Sequence, residues 1–205
     1  GDTIESFESG VVNLLSYPGQ DQHPNAWRVD SLLPHPGSRY SLKLHGNTWK
    51  MEQIVPISID SADVWQVSAY VDSVGEIQGF GVIDDSARAL MYCFAGIELL
   101  NIQDWVTVYQ GAFPTRSWNL YQLPVADDWL ARYGYLPTVT RLMFINDRDE
   151  ASHAVVYFDD IIDITDSLPA APQVSITHSA GGIYLNTSGQ NSVDVQFFGH
   201  VNDPD

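Results

Sequence analysis

Two short acidic segments, far apart in the chain, carry the residues best placed to do chemistry. Near the start, Ile4-Glu5-Ser6-Phe7-Glu8-Ser9-Gly10 sets two carboxylates among β-prone residues. Much later, Val155-Val156-Tyr157-Phe158-Asp159-Asp160-Ile161 does the same with two aspartates. In the second, alternation puts Val156 and Phe158 on one face and Tyr157 and Asp159 on the other. A carboxylate at the end of a core strand is costly unless it is paired or bound to metal. Calcium takes roughly six to eight oxygens from carboxylates and carbonyls. If the first and last strands were neighbours, one such cation could clip both ends together. Two unrelated acidic strand ends are the other reading of the same spacing.

Other chemistries find less support. Asp84-Asp85, Asp127-Asp128 and Asp147-Asp149-Glu150 supply further carboxylates. Glycoside hydrolysis needs two carboxyl groups about 5–9 Å apart across a cleft. Adjacent strand residues point to opposite faces, so an Asp-Asp dipeptide is not such a pair. The histidines at 23, 35, 45, 153, 178 and 200 lack metal-ligand spacing. No nucleophile elbow or phosphate loop occurs, and Gly79-Phe80-Gly81 reads as a close approach within a strand. The single cysteine, Cys93, sits in an apolar run and reads as buried and inert. A non-enzyme is expected.

Charge narrows the partners. Lys and Arg total 9 against 26 Asp and Glu, a net charge of −17 over 205 residues. A polyanion such as nucleic acid is repelled, because its phosphates need neutralising cations on the protein. An anionic membrane surface is disfavoured likewise, and no run of about 18 apolar residues offers a span. No basic residue precedes Arg28 or follows Arg148, so both ends are purely acidic. The chain opens on Gly1 rather than Met, which reads as a mature chain whose secretion signal has been removed. A secreted or cell-surface location is expected.

The elements that must position these residues are strands. Short alternating or β-branched runs, separated by Gly, Pro, Asn and Asp, fall at 38–45, 50–57, 64–73, 76–83, 90–94, 106–113, 118–123, 139–146 and 154–164. One helical stretch, Ala126–Tyr133, is capped by Asp127 or Asp128 and ended by Gly134 and Pro137. Nine strands without βαβ alternation imply an all-β fold, an antiparallel β-sandwich of the jelly-roll kind, over residues 1–166. A Pro/Ala linker covers 167–172. Residues 173–205 hold three more strands and read as a partial second, Ig-like segment, too short for a sandwich of its own.

The opening "SFESG" and closing "VYFDDI" resemble the first and last strands of β-jelly-roll carbohydrate-binding modules, above all family eleven of the galactose-binding-like fold. Ser38–Leu44 is similar to that family's second strand, Trp118–Pro124 to its W-x-x-Y-x-I-P strand, and Thr140–Asn146 to the strand before the closing one. The resemblance spans about residues 3–165. It implies a structural calcium held by Glu8, the Ser41 region and Asp159, with Glu5 and Asp160 beside them. It also implies a sugar site on one sheet, with Arg132 and Tyr135 as contacts and Phe144 as a platform ring. Phe144 stands where a tyrosine is usual, so one hydroxyl contact is lost. Trp49 and Tyr70 join the candidates by strand position. For any one of these aromatics a core position is the competing reading, and Arg132 could simply pair with Asp127 or Asp128. The tail, with "GHVNDPD", is similar to the first third of a PKD or other Ig-like domain.

The leading expectation is non-catalytic binding of an extracellular polysaccharide or cell-surface glycan, such as a β-glucan, by one module of a larger protein. The rival keeps the fold and the calcium but makes the chain a structural or adhesion and assembly module without a sugar ligand. A groove of exposed coplanar aromatics favours the first; a groove filled by the protein's own loops favours the second.

Overall fold

A computed structural model describes residues 1–98, 105–107, 113–149 and 153–168. Gly1–Ser167 forms one compact unit, and Leu168–Asp205 is assigned to another. The PKD-like segment at 173–205 lies outside the described residues.

The first unit is a β-sandwich of two six-stranded sheets. Its strands are β1 (Asp2–Glu5), β2 (Leu14–Ser16), β3 (Trp27–Asp30), β4 (Ser41–His45), β5 (Thr48–Ser58) and β6 (Trp65–Ser73). They continue as β7 (Ile77–Asp84), β8 (Ala89–Ala95), β9 (Trp105–Thr107), β10 (Trp118–Leu123), β11 (Thr138–Asp147) and β12 (Val155–Asp163). Sheet A runs β10-β6-β12-β4-β3, with β1 also on β12. Sheet B runs β2-β5-β11-β7-β8-β9. All pairings are antiparallel except β8 with β9, which is parallel. The first strand does pair with the closing one, Asp2 opposite Asp163 and Glu5 opposite Ile161.

The period of two settles which side chains form the core. Val67, Ala69 and Val71 of β6, Val156 and Phe158 of β12, and Leu42 and Leu44 of β4 point inward from sheet A. They meet Phe80, Val82, Leu90, Tyr92, Leu142 and Phe144 of sheet B. Phe7 packs edge-on to Phe144 at 5.7 Å, and Phe94 stacks on Tyr121 at 4.0 Å. Helix α1 (Val125–Tyr133) buries Val125, Ala126 and Trp129 against this core. Its N-terminus has no side-chain cap, so neither Asp127 nor Asp128 plays the expected part. Asp128 instead accepts the Tyr92 hydroxyl at 2.9 Å. Gly134 ends the helix at φ 77°, where only glycine is unstrained.

Sheet B is apolar on its outer face too. Trp49, Met51, Ile77, Ile83, Met91, Cys93, Met143 and Ile145 form a second buried cluster, with Tyr17 and Trp105 packed against it. This face is therefore dry and covered, not an open platform.

Candidate functional site

Four of the five expected sugar contacts lie elsewhere than a shared site. Phe144 is fully buried between the sheets, against Phe7, Phe80 and Phe158. It is a core ring, because in β11 it is Met143 and Ile145 that face outward. Trp49 is 4% exposed on the covered outer face of sheet B, between Tyr17 and Trp105. Tyr135 donates its hydroxyl to the buried Asp84 and packs with Trp129 and Tyr133. Arg88 lies over Tyr133 and Tyr135, at 5.6 and 5.4 Å. Arg132 extends over Tyr133 at 5.5 Å. Arg132 and Tyr135 thus belong to an aromatic cluster around α1.

Tyr70 has different company. It is half-buried on the outer face of sheet A, the second member of a row drawn from five adjacent strands. The register places Trp118 opposite Tyr70, Tyr70 opposite Tyr157, Tyr157 opposite Lys43, and Lys43 opposite Arg28. Ring centroids are 5.7 Å apart for Tyr70 and Trp118, and 5.9 Å for Tyr70 and Tyr157. The Lys43 ammonium lies 5.3 Å over the Tyr157 ring. Strand spacing of about 4.8 Å makes the row about 19 Å long, enough for a short oligosaccharide. Tyr157 is 8% exposed beneath Lys43, so the half-buried rings are Trp118 and Tyr70, tilted by 57° to each other and not one flat strip. Trp118 and Tyr157 fall within the matched strand motifs, and Lys43 within the Ser38–Leu44 match, but none of them, nor Arg28, is named there as a sugar contact. The available signal was alternation, which puts Tyr70 and Tyr157 off the core face of their strands.

Beside this row the loop 31–38 folds over sheet A. Leu32 and Leu33 donate their N–H groups to Asp30, and Ser41 Oγ donates to the Leu33 carbonyl. The His35 N–H reaches Asp159 Oδ2 at 3.1 Å, and His35 Nδ1 pairs with Asp160 at 2.8 Å. The His35 ring stands edge-on to Trp118 at 5.4 Å, joining the loop to the row. Asp160 sits at a register break with φ 44°, which swings its carboxylate toward His35. Burial pushes Asp159 up to about 7, with the nearby Asp160 charge adding to it and the His35 N–H opposing.

The expected calcium ligands Glu8, Ser41 and Asp159 do not offer free oxygens together. Glu8 accepts the Arg39 and Tyr40 N–H groups and Arg39 Nε. The Arg39 backbone bond leads these in holding Glu8 below the usual range. The guanidinium thus supplies the positive charge a metal would bring. Ser41 is committed to Leu33, and Asp159 lies under the loop.

A carboxyl left without compensation, Glu52, lies beside an acidic residue three positions before Glu8. Glu5 closes β1, and Glu52, on the inward face of β5, meets it at the seam between the sheets. Glu5 Oε1 accepts the N–H groups of Ser6 and Phe7, at 2.8 and 2.5 Å. Glu52 is 8% exposed, and its Oε2 is buried with no hydrogen-bond partner. Burial first, then the adjoining Glu5, pushes Glu52 up to about 9. Both line a cavity of about 440 Å³ with Asp2 and Asp163. Two carboxyl groups in contact share a proton or a cation; they are too close to straddle a glycosidic bond.

No family model matches the chain, and no curated protein does. Solved structures do resemble it. The family 30 carbohydrate-binding module of the cellulosomal cellulase Cel9D-Cel44B of Clostridium thermocellum is 18% identical, over 74% of this chain and 89% of its own, with a TM-score of 0.46. Another family 30 module is 17% identical over 90% and 93%, at 0.47. Module CBM27-1 of Caldicellulosiruptor saccharolyticus, solved with mannohexaose, is 13% identical over 76% and 92%, at 0.43. At such identities and scores the likeness goes no further than the β-sandwich, and no residue role is carried over from these proteins.

Proposed function

We propose that the module binds an extracellular polysaccharide without catalysis, and that the outer face of sheet A is its binding surface. The observation that carries this reading is the Trp118–Tyr70–Tyr157 row. Two half-buried rings, Trp118 and Tyr70, form an aromatic surface flanked by polar side chains, with Tyr157 buried beside them beneath Lys43. Pyranose rings stack on such aromatics through their C–H faces, while polar neighbours bond the hydroxyls. Binding of this kind is modest in affinity.

The calcium belongs to the same proposal, at a different place. We infer that a calcium ion is held at the Glu5–Glu52 seam, where the orphaned Glu52 oxygen fits a hard cation. There it would join the first strand to sheet B and so stabilise the folded module.

The mutual tilt of the two half-buried rings favours a second reading, a protein-contact module within a secreted or surface assembly. Affinity electrophoresis in gels cast with soluble β-glucan, mannan or polyuronate decides between them. Retardation by one polysaccharide that Tyr70→Ala abolishes, and that Arg132→Ala and Tyr135→Ala leave intact, is the expected outcome. Unretarded migration in every gel means that the face serves a protein partner.

A further inference from the structure

The aromatic row does not end in neutral residues. Its last two members are Lys43 and Arg28, side by side on β4 and β3. Basic residues are scarce in this chain, 9 in all, and several described ones are occupied. Lys50 is buried against Asp21, Arg39 holds Glu8, and Arg88 and Arg132 lie on tyrosines. Lys43 has no carboxylate partner among the described residues; its contact is the Tyr157 ring. Arg28 meets Asp30 through Nε and Nη2 on a single oxygen, Oδ1, and its side chain stays 56% exposed.

Resting on the binding reading above, we infer that the ligand of this face is an acidic polysaccharide. The aromatic end stacks on its pyranose rings, and Lys43 and Arg28 take a carboxylate or sulfate that it carries. Covering two cations with a neutral sugar costs their hydration and returns little. Covering them with an anion returns charge-assisted hydrogen bonds, and arginine adds a fork matched to a carboxylate or sulfate.

The acidic groups near this end do not cancel the two cations. Asp30 is tied to Arg28 and to two backbone N–H groups, and Asp159 and Asp160 are held by the loop through His35. Asp72 shares the outer face of β6 with Tyr70 but lies two residues further along that strand, one step off the row. The net charge of −17 repels a polyanion at long range. At about 0.15 M salt that repulsion is screened beyond about 8 Å, whereas contact pairs persist.

The test uses the intact chain with four probes of matched length: a polyuronate, a sulfated galactan, a β-glucan and a mannan. Titration calorimetry is run on the native protein, Lys43→Met, Arg28→Gln and Tyr70→Ala, each first shown to melt like the native chain. The expected result is binding of an anionic probe, weakened about ten-fold or more by Lys43→Met and by Arg28→Gln, and lost with Tyr70→Ala. The polyuronate and sulfate arms identify the anion. Binding of a neutral glycan that Tyr70→Ala abolishes and Lys43→Met leaves unchanged overturns the inference while the sugar-binding reading stands. Absence of binding to all four probes overturns both.

Discussion

Replacing Glu52 by Gln probes the seam between the sheets most sharply, because it changes one proton and almost no volume. Glu52 is 8% exposed, and its carboxyl is pushed up to about 9. In the unfolded chain it titrates near 4.5. At pH 7 the unfolded chain has therefore released this proton and the folded one has kept it. Retaining it costs ~2–3 kcal/mol once solvent reaching the cavity is allowed for. Glutamine carries no such cost and can donate to Glu5, so without calcium E52Q is expected to be the more stable protein. For a domain of this size, ~2–3 kcal/mol is about 4–12 °C in melting temperature. Calcium reverses the order. At a hundred-fold excess over its dissociation constant a ligand of the native state adds ~2.7 kcal/mol, raising the native melt by about 5–10 °C and leaving E52Q unmoved. The assay is a melt of both proteins in chelator and in calcium, at pH 5, 7 and 9. In chelator the native protein should lose stability as pH rises from about 5 to 9, because a raised carboxyl stabilises only while protonated; E52Q should lose less across that window, keeping only the part due to other raised carboxyls such as Asp159. A native melt indifferent to calcium would refute the metal at Glu5–Glu52. An E52Q protein less stable than the native one in chelator would refute the burial argument itself.

Two further stability predictions draw on buried charges. Lys50 and Asp21 form an ion pair at 2.5 Å with side chains 3% and 1% exposed; Asp21→Asn should cost ~3–5 kcal/mol by stranding the ammonium, and Lys50→Met added to it should restore much of the loss, as read by urea denaturation. Asp159 is raised to about 7, so its contribution is greatest below about pH 4 and is lost as pH rises through 7. Asp159→Asn should flatten that part of the profile, and an unchanged slope would mean that the loop 31–38 does not bury the carboxyl in solution.

Much of the fold was legible in the sequence. Nine expected strands correspond to β4–β12, although residues 108–112 of one lie outside the described residues. Three short strands, β1, β2 and β3, escaped because three or four residues give too little alternation to read. The opening strand also ends at Glu5, earlier than the "SFESG" motif suggests, and this sets Glu5, not Glu8, beside the uncompensated Glu52. The site was less legible. Phe144 lies in β11, which is apolar on both faces, so alternation could not tell core from surface; in β5 Lys50 and Glu52 share the inward face and Trp49 and Met51 the outer one, the reverse of the usual pattern. In β6 and β12 the faces differ in polarity, and there Tyr70 and Tyr157 could be assigned to the non-core side.

By itself, then, the sequence determined the class of fold and the side of each half-polar strand. Both follow from periodicity, which is local to each segment. Which strands are neighbours is not local. The row from Trp118 to Arg28 exists because β10, β6, β12, β4 and β3 lie side by side, although residues 28 and 118 are far apart in the chain. The contact of Glu5 with Glu52 likewise joins strands of two different sheets. Only tertiary packing brings such groups together, and only there do burial and neighbouring charge decide which carboxyl keeps its proton and which lysine is left for a partner.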